Sequence, residues 1–130
     1  LKPMKKISTK EFPGYPTDLQ AQLIATQLKS GSKSKVVENI FENRFIHIPE
    51  LRRFGANLSI KGNTVTIDKT SNLLGAEVMA TDIRASFSLI IAAMMSKGKT
   101  VINRIYHLDR GYEDFDLKLK KCGVNISRKK

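Results

Sequence analysis

Apolar and polar residues alternate on either side of a short polar segment near the middle of the chain. Leu58-Ser59-Ile60 and Val65-Thr66-Ile67 have an apolar side chain at every second position, and Lys61-Gly62-Asn63-Thr64 lies between them. Alternation at this period places the apolar side chains on one face of a strand, and a short turn with glycine and asparagine joins antiparallel neighbours. The pattern predicts a β-hairpin.

Four other segments carry the start and stop signals of helices. Thr17 is a predicted N-cap, with Gln20 three residues later to complete a capping box, and Thr81 is a second predicted cap. A glycine follows close behind each segment, as expected of a left-handed helix terminator. The predicted helices cover residues 18–29, 50–54, 82–97 and 112–122, and the glycines are Gly31, Gly55, Gly98 and Gly123.

Short apolar segments between these helices are typical of strands. They cover residues 36–40, 100–102 and 124–127, so the order helix, strand, helix, strand occurs twice. The segment 85–95 is apolar or small on nearly all sides, which predicts a helix buried on several faces. We therefore expect an α/β fold with helices inside and sheets outside them.

The recurring order reflects a duplication in the sequence. Residues 51–59 are closely matched by residues 119–127, and residues 17–21 by residues 81–85. A repeat unit of about 65 residues explains both matches, and such repeats take priority in assigning a fold. The predicted units cover about residues 11–70 and 75–130.

The chain is strongly basic, with 23 lysines and arginines against 12 acidic residues and a formal net charge of +11. Such a charge favours an anionic partner: nucleic acid, an acidic membrane surface or a phosphorylated small molecule. The alternative for the basic residues at the two ends is that they are solvated tails. They are Lys2, Lys5, Lys6 and Lys10 at the beginning and Arg128, Lys129 and Lys130 at the end.

Cysteine content and apolar segments bear on the compartment. A single cysteine, Cys122, permits no internal disulfide and no cysteine-built metal site, which fits a reducing environment. The longest apolar run, 89–95, is too short to cross a bilayer, and the first residues lack the pattern of a signal peptide. We expect a soluble, cytoplasmic chain, and its start at Leu1 in place of Met suggests an excised fragment.

Arg84 occupies an unusual place for a cation, the first turn of a predicted helix, where Gln20 stands in the other unit. The helix macrodipole disfavours a cation there by about 0.3–1 kcal/mol. Free backbone N–H groups at a helix N-terminus bind anions, and a guanidinium beside them would make a stronger fork for a carboxylate or phosphate. The alternative is an internal ion pair with Asp82 or Asp109.

Asp18 and Asp82 hold equivalent positions, the first residue after each predicted cap. A carboxylate stabilises a helix N-terminus there without any further role. A desolvated carboxylate is also a suitable base for a substrate hydroxyl. The spacing alone leaves both interpretations open.

Two predicted loops at strand ends combine charged and aromatic residues, and loops in such positions often carry binding residues. They cover residues 40–45 and 104–113. Arg44 in the first and Arg110 in the second are therefore candidates for further anion contacts. The alternative is that each pairs with a nearby carboxylate, Glu42 or Asp109.

The remaining reactive residue types do not form a recognisable centre. His47 and His107 lack a third ligand at a suitable spacing, so no metal site is predicted. Cys122 corresponds to Phe54 of the first unit, just before a helix-ending glycine, which favours a small core residue over a nucleophile.

Five longer motifs follow one another along the chain. They are FPGYPTDLQAQ at 12–22, IFENRF at 40–45, PEL at 49–51, MATDIRAS at 79–86 and RIYHLDRGYE at 104–113. In this order they resemble the C-terminal part of the UDP-N-acetylglucosamine enolpyruvyl transferase family, from about residue 11 to the end. The sister enzymes of the shikimate pathway share the fold of that family but not these strings.

The resemblance implies a fold and a reaction. The fold is an inside-out α/β barrel of two similar domains, each of three repeats with buried helices and outer sheets, and this chain holds two repeats of the C-terminal domain. The reaction transfers the enolpyruvyl group from phosphoenolpyruvate to the 3-hydroxyl of UDP-N-acetylglucosamine, by addition and then elimination of phosphate. It is the first committed step of bacterial peptidoglycan synthesis and needs no metal or organic cofactor.

The resemblance also implies roles for individual residues. Asp18 would contact and deprotonate the sugar hydroxyl, and Ile40 would contribute to the UDP-sugar site. Arg84 and Arg110 would hold phosphoenolpyruvate and its tetrahedral adduct, where guanidinium groups stabilise negative charge. The other substrate-binding positions that it implies are Arg44, Asp82 and Ile83.

Half of the family's active site has no counterpart in this chain. The missing half includes a Lys-Asn pair, a catalytic cysteine on a mobile loop and further arginines, and Cys122 is not that cysteine because it lies in the last repeat. We expect the chain to be inactive alone and to self-associate through exposed apolar surface. The expected partners are the two substrates and the missing N-terminal domain, with no nucleic acid and no membrane.

Two other functions compete with a transferase fragment. A catalytically dead basic module on the same fold would bind nucleic acid or another polyanion, more weakly as salt rises. An enzyme of the same fold could act on a different hydroxyl acceptor. The joint presence of Asp18, Arg84 and Arg110 favours the transferase, and Ile40 with the Asn43-Arg44 loop favours the UDP-sugar acceptor.

Overall fold

The computed structural model describes residues 4–41, 44–70 and 72–129, so predictions that concern Lys2, Glu42, Asn43 or Lys130 lie outside the described residues. The strands are β1 (Lys6–Ser8), β2 (Ser34–Val37), β3 (Leu58–Lys61), β4 (Thr64–Ile67), β5 (Glu77–Met79) and β6 (Val101–Asn103). The helices are α1 (Gln20–Gln27), α2 (Ile48–Arg52), α3 (Ile83–Met95), α4 (Tyr106–Gly111) and α5 (Phe115–Lys121), with a 3-10 turn at Thr17–Leu19.

The strands form two sheets, and each sheet contains a parallel β-α-β unit. The first sheet has the order β1-β2-β4-β3, with β1 parallel to β2 and the other neighbours antiparallel. In the second sheet β5 is parallel to β6. The chain crosses from β1 to β2 through α1 and from β5 to β6 through α3, so the two repeat units share this arrangement.

The predicted hairpin is confirmed. Strands β3 and β4 pair antiparallel, with Leu58 opposite Ile67 and Ile60 opposite Val65. Val65 and Ile67 are fully buried, and Leu58 is buried beside them. Ile60, two residues nearer the turn, is exposed although its partner Val65 is buried, and it lies on β3, the edge strand of the sheet.

The helices α1 and α3 pack against each other inside the fold. Ile24 and Leu28 of α1 meet Leu89 of α3 and Val65 of the sheet in one continuous apolar core. Six of the eight residues of α1 are buried, whereas β4 alternates between buried and less buried positions. The prediction of helices inside and sheet outside is confirmed, because only the helices are covered on several sides.

The first helix is shorter than predicted and does not begin with a threonine cap. The 3-10 turn at Thr17–Leu19 precedes α1, and no side chain caps either segment. The Thr17 hydroxyl instead donates to the carboxylate of Glu38 at 2.9 Å. A charged acceptor makes a stronger hydrogen bond than a neutral one, so the predicted capping box of Thr17 and Gln20 is wrong.

The N-cap of α3 also differs from the predicted one. Asp82, and not Thr81, is the cap, and its Oδ1 accepts a hydrogen bond from the N–H of Ala85 at 2.7 Å. A carboxylate satisfies a free N–H group and also interacts favourably with the positive end of the macrodipole. Asp82 therefore precedes the first helical residue, Ile83, and does not follow the cap.

The predicted loop at 104–113 is wrong, because most of it forms α4. Its N–H groups bond back along the chain, as from Asp109 to the carbonyl of Ile105 at 3.0 Å. Ile105, Leu108 and Tyr112 lie three and four residues apart and join a second apolar cluster with Ile90 of α3. This spacing is that of a helix face, and the charged residues between these positions obscured it.

The end of the second unit differs from the prediction in two respects. Residues 124–127 form no strand, and the described part of this unit has no strand beside them that would pair as β4 pairs with β3. The N–H of Val124 bonds to the carbonyl of Leu119 and that of Gly123 to Lys120, which is a Schellman motif. Cys122 is exposed, whereas Phe54 is fully buried, so the predicted core role of Cys122 is wrong.

The other predicted elements exist with shifted ends. The strands expected at 36–40 and 100–102 are β2 and β6, and the helix expected at 50–54 is α2. Helices α3 and α5 end within two residues of the predicted positions, although α5 begins three residues later. Across the described residues, no helix combines the length and the apolar character needed to cross a membrane.

Candidate functional site

The N-termini of α1 and α3 lie beside one another, and an ion pair connects the two repeat units there. The Nε of Arg84 lies 2.6 Å from Oδ1 of Asp18. The predicted alternatives, pairing of Arg84 with Asp82 or Asp109, are therefore wrong. A cleft between the two helices is lined by Thr17, Gln20, Ala21, Arg44, His47, Asp82, Arg84 and Ala85.

Asp18 and Asp82 differ in role although they occupy matching positions in the repeat. Asp82 is engaged by the backbone of its own helix, where it caps α3. Asp18 lies inside the 3-10 turn, and its side chain is 66% exposed and directed to Arg84. Asp82 lines the cleft with its carboxylate bound to its own helix, whereas Asp18 lies outside the lining and adjoins the cleft through its contact with Arg84.

The ion pair of Asp18 and Arg84 is easily opened. Both side chains are substantially exposed, 66% and 41%, and exposed ion pairs contribute only about 0–1 kcal/mol. An anion that binds the guanidinium of Arg84 can replace Asp18 at little cost. Asp18 would then be released as a free acceptor beside the bound anion.

Arg44 is the second arginine that lines the cleft. It is half-buried, and its guanidinium lies 4.3 Å from the ring centroid of Phe41. Stacking on an aromatic face holds the planar group while its N–H donors stay available at the edges. The predicted alternative, a pair with Glu42, lies outside the described residues.

Arg110 lies at the end of α4 and does not line the cleft. Its guanidinium is 6.0 Å from the ring centroid of Tyr106. The predicted pair with Asp109 is wrong, because both carboxylate oxygens of Asp109 accept from Arg128, at 3.1 and 2.6 Å. Among the described residues, Arg110 therefore has no carboxylate partner.

Ile83 explains why Arg110 lies close to the start of α3. A Cβ atom added to Gly111 would lie 2.0 Å from Cδ1 of Ile83, so only glycine permits this approach. The contact brings the end of α4 against the first residue of α3. Arg84 and Arg110, the neighbours of these two residues in the sequence, are thus carried by helix ends in direct contact.

Ile40 follows β2 and is half-buried outside the cleft lining. Its backbone N–H donates to Oε1 of Glu38 at 3.2 Å. The side chain of Ile40 is therefore placed by the fold of a short loop, and the geometry of that loop depends on Glu38.

Glu38 is a site residue that the sequence analysis missed. It is only 3% exposed, and it accepts hydrogen bonds from side chains on three segments of the first unit. Burial by itself raises the pKa of a carboxyl group, but the hydrogen bonds from Thr17, Thr9, the Ile40 backbone and Gln20 lower the pKa of Glu38 below its ordinary value. The sequence signal for this residue was a glutamate at the end of a predicted apolar strand, together with threonines elsewhere in the chain whose hydroxyls can donate to a carboxylate.

His47 was considered only as a metal ligand, and the structure shows a buried histidine on the wall of the cleft. It is 1% exposed, and its Nε2 has no hydrogen-bond partner among the described residues. Burial lowers the pKa of His47 to about 4, against the opposing effects of the Asp82 charge and a hydrogen bond to the Arg44 backbone. The ring is therefore neutral at pH 7.

The chemistry of this arrangement suits a small anionic ligand with a hydroxyl group. Arg44 and Arg84 supply two guanidiniums at one cleft, whereas the positive end of helix α3 is already occupied by the carboxylate of its cap, Asp82. Asp18 supplies an accessible carboxylate at hydrogen-bonding distance from Arg84. A metal would need several ligands in one place, and the described ranges contain no group of three or more histidine, cysteine or acidic residues that could hold one.

The chain has buried helices, outer sheets and arginines near the helix ends. Comparison of its sequence and comparison of its structure assign it to the same class of protein. The profile of the EPSP synthase (3-phosphoshikimate 1-carboxyvinyltransferase) family matches residues 1–119, and the chain belongs to this family. The crystal structure of the enolpyruvyl transferase NikO from Streptomyces tendae superposes with a TM-score of 0.86 at 28% identity. The match covers 97% of this chain and 30% of that one.

Within this class, the chain resembles one kind of enzyme at much higher identity. It is 57% identical over 122 residues to a UDP-N-acetylglucosamine 1-carboxyvinyltransferase of Rhodopseudomonas palustris strain TIE-1. The enzymes of the same name from Pelagibacter ubique and Afipia carboxidovorans are 57% and 55% identical. The matches cover 94% of this chain, which spans about 28% of the length of these relatives. The predicted resemblance is confirmed.

Proposed function

We propose that this chain forms one wall of the active site of a UDP-N-acetylglucosamine 1-carboxyvinyltransferase. The enzyme transfers the enolpyruvyl group of phosphoenolpyruvate to the 3-hydroxyl of UDP-N-acetylglucosamine, in the peptidoglycan synthesis of a bacterial cytoplasm. The observation that carries the proposal is the Asp18–Arg84 contact at 2.6 Å, a base and an anion-binding group together at the cleft between the repeats. Identity of 57% to enzymes of this name supports it.

Different residues of the site bind the two substrates. Arg84 and Arg110 bind the carboxylate and phosphate groups of phosphoenolpyruvate, and Arg44 binds charge at the other side of the cleft. Arg84 leaves Asp18 as it does so, and the freed carboxylate accepts the proton of the sugar hydroxyl. Ile40 contacts the UDP-sugar, and Asp82 and Ile83 at the start of α3 complete the substrate-binding positions.

The guanidinium groups of the site promote the reaction by stabilising negative charge. The sugar oxygen adds to C2 of phosphoenolpyruvate while C3 gains a proton, which gives a tetrahedral adduct. Loss of phosphate and of a C3 proton then restores the double bond. In the elimination, the C2–O bond breaks and its electron pair leaves with the phosphate oxygen, and preorganised guanidinium groups stabilise this developing charge more in the transition state than in the bound substrate.

The rest of the site comes from another part of the enzyme under this proposal. The repeats at about 11–70 and 75–130 would belong to the C-terminal domain, and an N-terminal domain would close the cleft. The chain alone should then bind substrates weakly and release no phosphate. Apolar side chains that the chain exposes, such as Phe12 and Leu117, would be covered in the complete enzyme or would cause self-association.

A chimeric enzyme tests the function. The part of the Rhodopseudomonas palustris relative that aligns with this chain is replaced by this chain, and phosphate release from phosphoenolpyruvate is measured with and without UDP-N-acetylglucosamine. We expect activity that depends on the sugar nucleotide. Asp18→Asn should lower kcat by about 10²–10⁴-fold, because the base is removed while the size of the side chain is kept.

Asp68→Asn is the matched control. Asp68 is also a partly exposed carboxylate in a surface ion pair, 3.5 Å from Lys33, and it is not part of the cleft. Its substitution should leave kcat within about twofold. A folded chimera that releases no phosphate, or an Asp18→Asn chimera as active as Asp68→Asn, would refute the proposed function.

A further inference from the structure

The carboxylate of Glu38 is the meeting point of three segments of the first repeat unit. Its Oε1 accepts from the Thr9 hydroxyl at 3.0 Å, and both oxygens accept from the Thr17 hydroxyl at 2.9 Å. Its Oε2 accepts from Nε2 of Gln20 at 3.2 Å. The backbone N–H groups of Ile40 and Phe41 also donate to Oε1, at 3.2 and 3.3 Å.

Two of these donors bracket Asp18 in the sequence. Thr17 directly precedes it and Gln20 follows two residues later, so the carboxylate of Glu38 holds the 3-10 turn from both sides. Asp18 itself remains exposed, and its orientation depends on that turn. Glu38 therefore fixes the position of Asp18 without touching it.

The other donors bring the Ile40 loop to the same carboxylate. The loop follows β2, and the hydrogen bonds from Ile40 and Phe41 to Glu38 turn the chain back toward the start of α1. Phe41 in turn carries the guanidinium of Arg44 on its ring, at 4.3 Å. One buried side chain thus sets the distance between the turn of Asp18 and the loop of Ile40.

Only an acceptor with several lone pairs can satisfy this set of donors. An ionised carboxylate offers about four acceptor sites and no donor. A glutamine at position 38 would direct an N–H₂ group at Gln20. Oε1 of Gln20 has no hydrogen-bond partner among the described residues. If the Gln20 amide rotates by half a turn, this oxygen can accept a hydrogen bond from the new N–H₂ group. Glutamine is therefore the one substitution that should keep the arrangement.

We propose that Glu38 is a positioning residue for the transfer reaction, which holds the Asp18 turn and the Ile40 loop in register. The inference rests on the proposed function for its catalytic consequence, but the geometric part stands on the contacts alone. Loss of the carboxylate should move Asp18 away from the sugar hydroxyl and Ile40 away from the sugar. Both kcat and KM should change, since one residue supports a base and a binding surface.

The geometric part is tested on this chain by amide hydrogen exchange. In Glu38→Ala the amides of Ile40 and Phe41 should exchange at least about tenfold faster, because each loses a hydrogen bond to a charged acceptor. Glu38→Gln should retain most of the protection. The amides of β4 exchange by global unfolding and serve as the reference. In each variant, the exchange rates of Ile40 and Phe41 are divided by the rates of the β4 amides.

Asp116→Ala is the matched control for a buried carboxylate. Asp116 is 8% exposed, and its side chain bonds to Arg128 at 3.1 Å, in the other repeat unit. Its substitution should leave exchange at Ile40 and Phe41 unchanged relative to β4. Equal relative rates in Glu38→Ala and Asp116→Ala would overturn the proposal.

The catalytic part is tested in the chimera described above. Glu38→Ala should lower kcat/KM by about 10²-fold, the scale expected when a reacting group is displaced by about 1 Å, with a fall in kcat and a rise in KM. Glu38→Gln should recover activity to within about fivefold, and Asp116→Ala should leave kcat and KM unchanged. A rise in KM alone, or no recovery with glutamine, would overturn the positioning role.

Failure of the proposed function has a different signature. An unsubstituted chimera without activity would refute the transferase assignment, and the exchange rates would still decide whether Glu38 joins the two segments. If Glu38→Ala does not fold, Glu38→Asp replaces it, because the carboxylate is then one methylene short and cannot reach both segments. If the amides of Ile40 and Phe41 exchange faster in Glu38→Asp than in Glu38→Gln, the proposal is supported. Equal exchange rates in these two variants would contradict it.

Discussion

At the start of α1 and at the start of α3 the chain places the same residues, a threonine followed by an aspartate, and the two pairs behave differently. In the first unit Thr17 donates to a buried carboxylate and Asp18 points out of its turn. In the second unit Asp82 caps its own helix. The difference follows from the 3-10 turn, which the first unit has and the second lacks.

The comparison shows how a duplicated scaffold gains an asymmetric site. Each unit has a parallel β-α-β arrangement, and the starts of α1 and α3 lie beside one another. Substitution of polar residues at matching positions then places a guanidinium, Arg84, where the other unit has Gln20. The carboxylate of one unit faces the arginine of the other, and neither unit contains that pair by itself.

The largest expected difference between the units concerns Phe54 and Cys122, which match in the repeat. Phe54→Ala should lower the free energy of unfolding by about 3–5 kcal/mol, because Phe54 is fully buried and its removal leaves a cavity. Cys122→Ala should change it by no more than about 0.5 kcal/mol, because Cys122 is exposed. Urea unfolding of both variants measures this, and similar losses would show that the two positions are equivalent after all.

The wall of the cleft between the units should make stability depend on pH. The pKa of His47 is about 4 in the folded chain, below the ordinary value of 6.5. Below pH 6.5 the unfolded chain therefore binds a proton that the folded chain does not, and stability falls as pH decreases. Between pH 7.5 and pH 5 the loss should be about 2 kcal/mol. His47→Gln should abolish this part of the slope in urea unfolding, and an unchanged slope would assign it to other groups.

Replacement of the two aspartates should change the free energy of unfolding by amounts that differ by about 0.5–1 kcal/mol. Asp82→Ala removes the cap of α3 and should cost about 1 kcal/mol. Asp18→Ala removes only an exposed ion pair and should cost less than about 0.5 kcal/mol. Thermal unfolding of the two variants side by side checks this, and a reversed order would mean that Asp18 is the structural residue of the two.

The smallest expected effect is the coupling of the two units through Asp18 and Arg84. A double-mutant cycle with Asp18→Asn and Arg84→Gln should give a coupling energy of about 0.2–1 kcal/mol that declines as salt is added. A coupling well above this range, insensitive to salt, would show that the pair is a fixed structural element and does not open for a ligand.

The elements that local patterns specify were predictable from the sequence. The hairpin followed from strict alternation, and the buried helix from a segment between 85 and 95 that is apolar or small on nearly all sides. The repeat and the motifs correctly indicated the fold and the family. The ends of the helices were less well predicted, because Thr17 bonds to the distant Glu38 and because Asp82, in place of Thr81, caps the first turn of α3.

The parts of the site that depend on distant contacts were not predictable. Nothing near Arg84 in the sequence indicated Asp18 as its partner, since the pair forms only when α1 and α3 pack together. Glu38 stood in a predicted strand, and its donors are spread from Thr9 to Phe41. The helical face of α4 was missed because the charged residues Asp109 and Arg110 separate Leu108 from Tyr112.

The contact of Arg128 with Asp109 and Asp116 has a practical consequence for anyone who produces this protein. The guanidinium of Arg128 spans α4 and α5, at 2.6 Å and 3.1 Å from the two carboxylates. A purification tag or a trimmed end that displaces it would release Asp109 to compete for Arg110 next to it in the sequence. A purification tag is therefore best attached on the Leu1 side of this segment.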